Sequence, residues 1–329
     1  MKVKFWGTRG SLPSTFTSEH LQDYLRRGIT YALDPVNGIK KGQSVDEFIA
    51  TMPYGLTHTC GVNTSCITLE TGVANEYIIC DAGTGLRDLG IDYAKHGVLK
   101  TPSVYHLFLT HLHWDHIQGF PFFAPAYVPG NKIIIHGYHP NIEEYFTKQM
   151  TPPCFPVPFK ALGAEVIFDI KLPWEQFDVC GFNIQAIQQN HPGISFGYRF
   201  EKDGKIIVYS TDCEHTESAH EDGYPFIEFF RNADILIFDA MYSLATACIT
   251  KANWGHSNNF MGVKLAAKAH VKHLFLFHHD PASDDEALKQ FLINTITYAD
   301  FFHGEAKKKS KIHYPIEISL AYDGQEVDV

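Results

Sequence analysis

Thr110-His-Leu-His-Trp-Asp-His116 follows directly on the apolar run Val104–Leu109. A run that is apolar on both faces reads as a strand covered on both sides. If its extended character persists into the motif, alternation puts His111, His113 and Asp115 on one side, with His116 following as the chain turns. Three imidazoles and a carboxylate gathered at the edge of a core are costly unless a cation binds them. Imidazole nitrogen and carboxylate oxygen suit zinc, and also manganese or iron. The bland alternative is a set of surface or helix-capping polar residues.

Four such side chains do not saturate two ions, so further ligands are expected at other strand ends. His191 follows Phe182–Ile187, Asp212 follows Ile206–Tyr209, and His278 follows Leu274–Phe277. His279 competes with His278, which is preferred because it comes directly after the strand. A turn histidine and an ordinary Asx-turn are the alternatives for His191 and Asp212.

The other strand-like runs are Val3–Trp6, Cys66–Glu70, Tyr77–Cys80, Lys132–Ile135, Val166–Ile170, Asp234–Phe238 and Ile316–Ala321. Several end in Gly, Asp, His or Pro, as strands do where they give way to loops. Tyr198 and Arg199 lie in a further strand-like stretch and receive no role. Helices are expected at Glu19–Arg27, at Asn258–His270 capped by Ser257, and from Ser283 to near His303-Gly304. The KKKSK run, Lys307–Lys311, then reads as a surface turn. Many strands with fewer helices suggest two sheets face to face, covered by helices. No linker divides the chain, so one domain over 1–329 is expected. The polar stretch at about 15–57 reads as an insertion: a lid, a contact to a second copy in a homodimer, or a passive excursion.

Composition narrows the function. The 329 residues are 45% hydrophobic, with 25 Phe and 16 Tyr, which supports a large core. The formal net charge of −10 disfavours a protein that grips long nucleic acid through its phosphates. Seven scattered cysteines without a C-x-x-C pair indicate a reduced chain. Neither a signal peptide nor a membrane-length apolar run is evident, so the expected location is the cytoplasm.

His-x-His-x-Asp-His, followed at these intervals by His191, Asp212 and His278, resembles the metallo-β-lactamase superfamily, and Asp81-Ala-Gly-Thr-Gly85 is similar to the turn before its metal loop. The resemblance implies an αββα sandwich of two mixed sheets. It also implies two divalent ions, zinc first, with His111, His113 and His191 on one, Asp115, His116 and His278 on the other, and Asp212 between them. Asp81 would orient a ligand histidine from behind, or simply shape its own turn.

Phe238-Asp-Ala-Met-Tyr242 and Trp254-Gly-His-Ser257 resemble the RNase Z branch, which includes cyclic-nucleotide phosphodiesterases; Phe5-Trp-Gly-Thr-Arg-Gly-Ser11 and Gly61-Val-Asn-Thr-Ser65 do so as well. In that branch an acid pairs with the His of Gly-His-Ser near the scissile phosphate, which implies an Asp239–His256 pair here. The alternatives are a strand-end turn acid and a ring that merely packs. The alternative for Asn63 and Ser65 is a bracing role in their own loop. Asp239 stands where RNase Z commonly has Glu, and no glycine-rich tRNA-holding arm is evident. The expected reaction is therefore attack of a metal-bridging hydroxide on a small phosphodiester such as a cyclic nucleotide, with Asp115 positioning the nucleophile. The competing expectations are a tRNA 3′-processing ribonuclease, an ester, thioester or lactone hydrolase, and a metal-stabilised binding protein.

Overall fold

The structure, a computed structural model, describes residues 1–172, 175–221, 223–308 and 316–329. Strands β1 (Lys2–Gly7), β2 (Cys66–Leu69), β3 (Glu76–Cys80), β4 (Val104–Phe108), β5 (Lys132–Gly137) and β6 (Glu165–Ile170) build the first sheet. The second takes β7 (Phe177–Val179), β8 (Phe182–Gln189), β9 (Ser195–Lys202), β10 (Lys205–Ser210), β11 (Ile235–Asp239), β12 (His273–Phe277) and β13 (Glu317–Leu320). Then β14 (Glu326–Asp328) returns to pair with β1. Each sheet has seven strands, ordered β14-β1-β2-β3-β4-β5-β6 and β13-β12-β11-β10-β9-β8-β7. Both are mixed.

Strands β3 to β6 run parallel, as do β10 to β13. Two antiparallel pairings, β8 with β9 and β9 with β10, turn β8 in the same direction as β10. Strand ends of like direction collect at one edge, where open α/β sheets bind ligands. His111, His191, Asp212, Asp239 and His278 all lie at or just beyond such ends.

Among the described residues, ten α-helices accompany the strands. The segment between β1 and β2 carries α1 (Ser18–Ala32), α2 (Val45–Thr51) and α3 (Tyr54–Thr57). After β3 comes α4 (Gly85–Lys95), after β4 the single turn α5 (Trp114–Ile117), and after β5 α6 (Ile142–Gln149). The second half holds α7 (Pro225–Phe229), α8 (Leu244–Ile249), α9 (Asn259–Lys268) and α10 (Asp285–Lys308). Phe5, Ile78, Phe108, Phe182, Tyr198 and Phe277 fill the space between the sheets. Leu86, Leu89, Ile142 and Phe146 cover the outside of the first sheet, and Phe226, Val263, Leu265 and Ala299 the outside of the second. The result is the expected αββα sandwich.

Several details differ from the sequence expectation. Asn258, not Ser257, caps α9: its side chain accepts from the Met261 amide at 3.0 Å. Ser257 instead donates to the Cys213 carbonyl at 2.6 Å, tying the Gly-His-Ser segment to the loop after β10. Helix α10 runs through His303-Gly304 to Lys308, so Lys307 and Lys308 are helical, while 309–311 lie outside the described residues. One glycine costs a helix about 1 kcal/mol, which a helix of this length absorbs. The Tyr198–Arg199 stretch is a full strand, β9, and α4 was not anticipated at all.

The helix expected at Glu19–Arg27 is longer, α1 running from Ser18 to Ala32. Tyr24 donates to Asp285 at 2.6 Å and Arg27 pairs with Glu286 at 3.5 Å, pinning α1 to the start of α10. No residue of α1 is buried. Leu21, Leu25, Ile29 and Leu33, spaced four apart, form an apolar stripe between 50% and 77% exposed.

Candidate metal centre

The seven side chains expected to gather do so in two adjoining groups. His111, His113, His191 and Asp212 offer ligand atoms within 4.8 Å of one another, and so do Asp115, His116, Asp212 and His278. Asp212 belongs to both. Its Oδ2 lies 3.6 Å from His111 Nε2 and 3.7 Å from His191 Nε2, while Oδ1 lies 3.2 Å from both His116 Nε2 and His278 Nε2. Asp115 Oδ2 is 3.3 Å from His116 Nε2 and 3.2 Å from His278 Nε2. His279 faces the other way, with Nε2 at 2.8 Å from the Ala321 carbonyl.

The outer nitrogens are anchored, which aims the inner ones. His116 Nδ1 lies 2.7 Å from Asp81 Oδ2, and His191 Nδ1 lies 2.8 Å from the Gly255 carbonyl. Since carboxylate and carbonyl only accept, each Nδ1 carries the proton. Asp81 is itself held by Thr110, through backbone amide and hydroxyl, and by the Tyr209 hydroxyl at 2.9 Å. The Ser11 amide donates to Asp115 Oδ2 at 2.7 Å. Three residues of this constellation sit just past strand ends with left-handed backbone: Asp81 (φ 60°), Asp212 (φ 56°) and His278 (φ 61°). Such residues carry strain that a functional site commonly retains.

Sequence reasoning missed Thr110, Tyr209, Gly10, Ser11 and Gly255. Gly10 and Ser11 lie in a motif noted for its resemblance, but nothing in it shows that a Cβ on Gly10 would fall 2.4 Å from the His278 ring. Likewise a Cβ on Gly255 would fall 2.3 Å from His191 Nδ1.

The donor set fits a divalent cation. Nε2 of His111 and of His116 are buried without a hydrogen-bond partner, an expensive arrangement unless something occupies the space they face. His191 Nε2 and His113 Nδ1 face each other at 2.9 Å. Burial, reinforced by neighbouring imidazoles, holds His111 well below its ordinary pKa and lowers His113 and His191 too. Those three rings are neutral, as ligands must be. His116 differs: burial opposes its charge, but Asp212, Asp115 and Asp81 outweigh it and push the pKa well up. Asp115 and Asp212 are held well below the carboxylate range, with His116 overcoming the cost of burial in each case.

Beside this cluster, His256 Nδ1 lies 2.9 Å from Asp239 Oδ2. The His256 ring stacks on His278 at 4.9 Å and meets His191 edge-on at 5.1 Å. Burial disfavours the imidazolium, yet Asp239 raises its pKa to about 9. Asp239 also accepts the Cys213 and Met241 amides, which fixes its orientation.

A four-layer sandwich with clustered His and Asp at its parallel strand ends defines a metal-dependent hydrolase of the metallo-β-lactamase fold. The chain belongs to the beta-lactamase superfamily: the family's domain model matches residues 76–279, from β3 to the second histidine of the His278–His279 pair. Within it the chain is similar to Ribonuclease Z of Prochlorococcus marinus (strain NATL1A), with 25% identity over 68% of this chain and 84% of the relative. The Bacillus subtilis metallo-beta-lactamase fold protein YhfI superposes with a TM-score of 0.58 at 18% identity, covering 99% of this chain and 98% of its own. Human tRNase Z, short form, superposes with a TM-score of 0.54 at 19% identity, covering 100% and 99%. The curated relative lies in the RNase Z branch, and the two solved structures show the shared fold.

Proposed function

We propose that the protein is a phosphodiesterase acting on a small phosphodiester such as a cyclic nucleotide. The observation that carries this reading is the Asp239–His256 pair beside the two ligand groups. It supplies a fixed cation at the rim of the cluster, suited to a charged phosphoryl group or a departing alkoxide.

His111, His113 and His191 would hold one ion and Asp115, His116 and His278 a second, with Asp212 shared; zinc suits the donors, and manganese or iron would be accepted. Bound there, such ions polarise a phosphoryl oxygen and lower the pKa of water to roughly 7. The chain's own residues do the rest. Asp115, fixed by the Ser11 amide, orients the attacking oxygen. Asp81 keeps the His116 proton on Nδ1, so Nε2 points inward. His256, held protonated by Asp239, donates to the leaving oxygen. Trp114 between His113 and Asp115 is 78% exposed, and Trp254 next to Gly255 is 55% exposed. Aromatic planes so placed suit a nucleobase, whose stacking contributes about 1–3 kcal/mol.

The relatives' names favour a second reading, a ribonuclease that processes tRNA. The net charge of −10 weighs against it, because a polyanion must be gripped by many cationic side chains. In this reading 1–329 is one domain whose insertion at about 15–57 presents the α1 stripe to a second copy. The described free cysteines suit the reducing cytoplasm, and no described helix is long and apolar enough to cross a membrane.

The deciding experiment offers bis(p-nitrophenyl) phosphate, 3′,5′- and 2′,3′-cyclic nucleotides and a tRNA precursor to zinc- or manganese-loaded protein, with Asp212→Ala as control. Metal-dependent cleavage of a cyclic nucleotide, lost in the variant, is expected. Cleavage of the tRNA precursor alone would replace this reading with the second, and no phosphodiester cleavage would end both in favour of an ester, thioester or lactone, or of a binding role.

A further inference from the structure

A second cluster lies between the two sheets on a different part of the same strands. Glu76 opens β3, His106 sits in the middle of β4, and Cys180 sits in the tight turn between β7 and β8. Cys180 Sγ donates to Glu76 Oε2 at 3.0 Å, and Glu76 Oε2 lies 3.8 Å from His106 Nε2. Each offers one ligand atom, all within 4.8 Å of one another. The first two residues belong to the first sheet and the third to the second.

A chain of hydrogen bonds fixes which way the His106 lone pair points. Lys171 holds Asp169 at 2.9 Å, and Asp169 Oδ2 meets His136 Nδ1 at 2.7 Å. An ionised carboxylate only accepts, so His136 Nδ1 must donate. With its Nδ1 proton committed to Asp169, the His136 ring offers Nε2 as an acceptor. That Nε2 lies 3.1 Å from His106 Nδ1, which therefore donates. Its remaining nitrogen, Nε2, is left as an acceptor aimed at the Glu76 carboxylate, and two facing acceptors repel unless a cation or a donating water lies between them.

We propose that Glu76, His106 and Cys180 form a second, separate metal site for a borderline divalent cation of the zinc class. Nitrogen, sulfur and oxygen donors in one cluster match zinc, with three protein ligands and a fourth position for water. Tetrahedral zinc bonds of about 2.0–2.3 Å put donor atoms roughly 3.3–3.8 Å apart; Glu76 and His106 already stand at 3.8 Å, and the 3.0 Å Cys180–Glu76 contact would open slightly on binding. The Asp169–His136–His106 relay orients the ligand histidine from behind. The Cys180 thiol donates its proton to Glu76 in the metal-free protein, so binding exchanges that proton for the cation: the S–H bond breaks, the metal–sulfur bond forms, and the proton leaves to solvent. Lys202, which donates to the Cys180 and Thr71 carbonyls at 2.8 and 2.6 Å, eases that loss. The bound ion would staple the β7–β8 turn to the first sheet.

The site is separable from the hydrolytic centre because only it contains sulfur. Cobalt(II) is the probe, added to metal-free full-length protein. A thiolate-to-cobalt charge-transfer band in the near ultraviolet is expected, and Cys180→Ser and His106→Gln should each abolish it while the visible bands of the histidine–aspartate centre persist. Zinc content should fall by one equivalent in the same variants, whatever their activity. If Cys180→Ser does not fold, Glu76→Gln keeps the side-chain shape and should weaken the sulfur-marked binding by about tenfold or more. Visible cobalt bands without any charge-transfer band in the wild type, or a band that survives Cys180→Ser, would overturn the proposal.

Discussion

His256 and Asp239 are joined by a 2.9 Å hydrogen bond, and the His256 ring lies stacked on His278. A cation is thus held one ring away from the ligand cluster by a carboxylate outside both ligand groups. His256→Ala is expected to lower kcat roughly 10²–10⁴-fold while metal content stays near wild type. Asp239→Asn, which keeps the shape but drops the charge, should lower kcat and move the alkaline limb of the pH–rate profile to lower pH. Full activity of His256→Ala on a phosphodiester would remove the residue from the mechanism.

Metal binding should release protons unevenly. His111, His113 and His191 are lowered and already neutral at pH 7, so an ion entering that group displaces no proton from them. His116 is raised, so the metal-free protein holds a proton there that the second ion must expel. Affinity at the second group should therefore climb with pH until the raised His116 pKa is passed, while the first is flat above about pH 7. Calorimetry in buffers of different ionisation enthalpy reads the difference directly; equal proton release in both steps would contradict it.

Gly10→Ala and Gly255→Ala should each weaken metal binding without replacing a ligand. The new methyl carbon on Gly10 would meet the His278 ring at 2.4 Å. On Gly255, where φ is +85°, the methyl would also bring backbone strain and meet His191 Nδ1 at 2.3 Å. Zinc titration against a competing chelator is the check, with losses of about tenfold or more expected.

Tyr209→Phe removes one of the three groups that hold Asp81. The loss passes through Asp81 to His116, so metal affinity should fall roughly 10–100-fold. Stability should change by only about 1–3 kcal/mol. A variant with unaltered metal affinity would show that Asp81 needs no such brace.

Leu25→Glu combined with Ile29→Glu breaks the α1 stripe. If that stripe meets a second copy, sedimentation should show a dimer in the wild type and a monomer in the variant, with the metal centre still able to fill. A wild-type monomer would assign the stripe to something else.

How much of this was legible beforehand follows from the reach of each signal. Strands such as Val104–Leu109 announce themselves because alternation and apolar runs are local, and the ligand histidines and aspartates follow strand ends. Helix α4 stayed hidden because Asp81-Ala-Gly-Thr-Gly85 reads as a turn, and the helix begins on its last glycine with Leu86 and Leu89 as its buried anchors. The choice between His278 and His279 needed the third dimension, since only the Ala321 carbonyl draws the second ring away. Tyr209 and Gly255 are far from their partners in sequence, and no spacing rule connects Tyr209 with Asp81.

Asp81, Asp212 and His278 hold backbone angles that glycine would adopt freely. Glycine at any one of them would relieve roughly 1 kcal/mol of local strain, but it would delete a group the proposed chemistry needs and, at Asp81, strand the Thr110 amide and the Thr110 and Tyr209 hydroxyls. Relief of backbone strain is therefore a poor guide to stabilising substitutions here, because the strained residues also tie the cluster together. A search for sturdier variants has to score turnover alongside melting temperature.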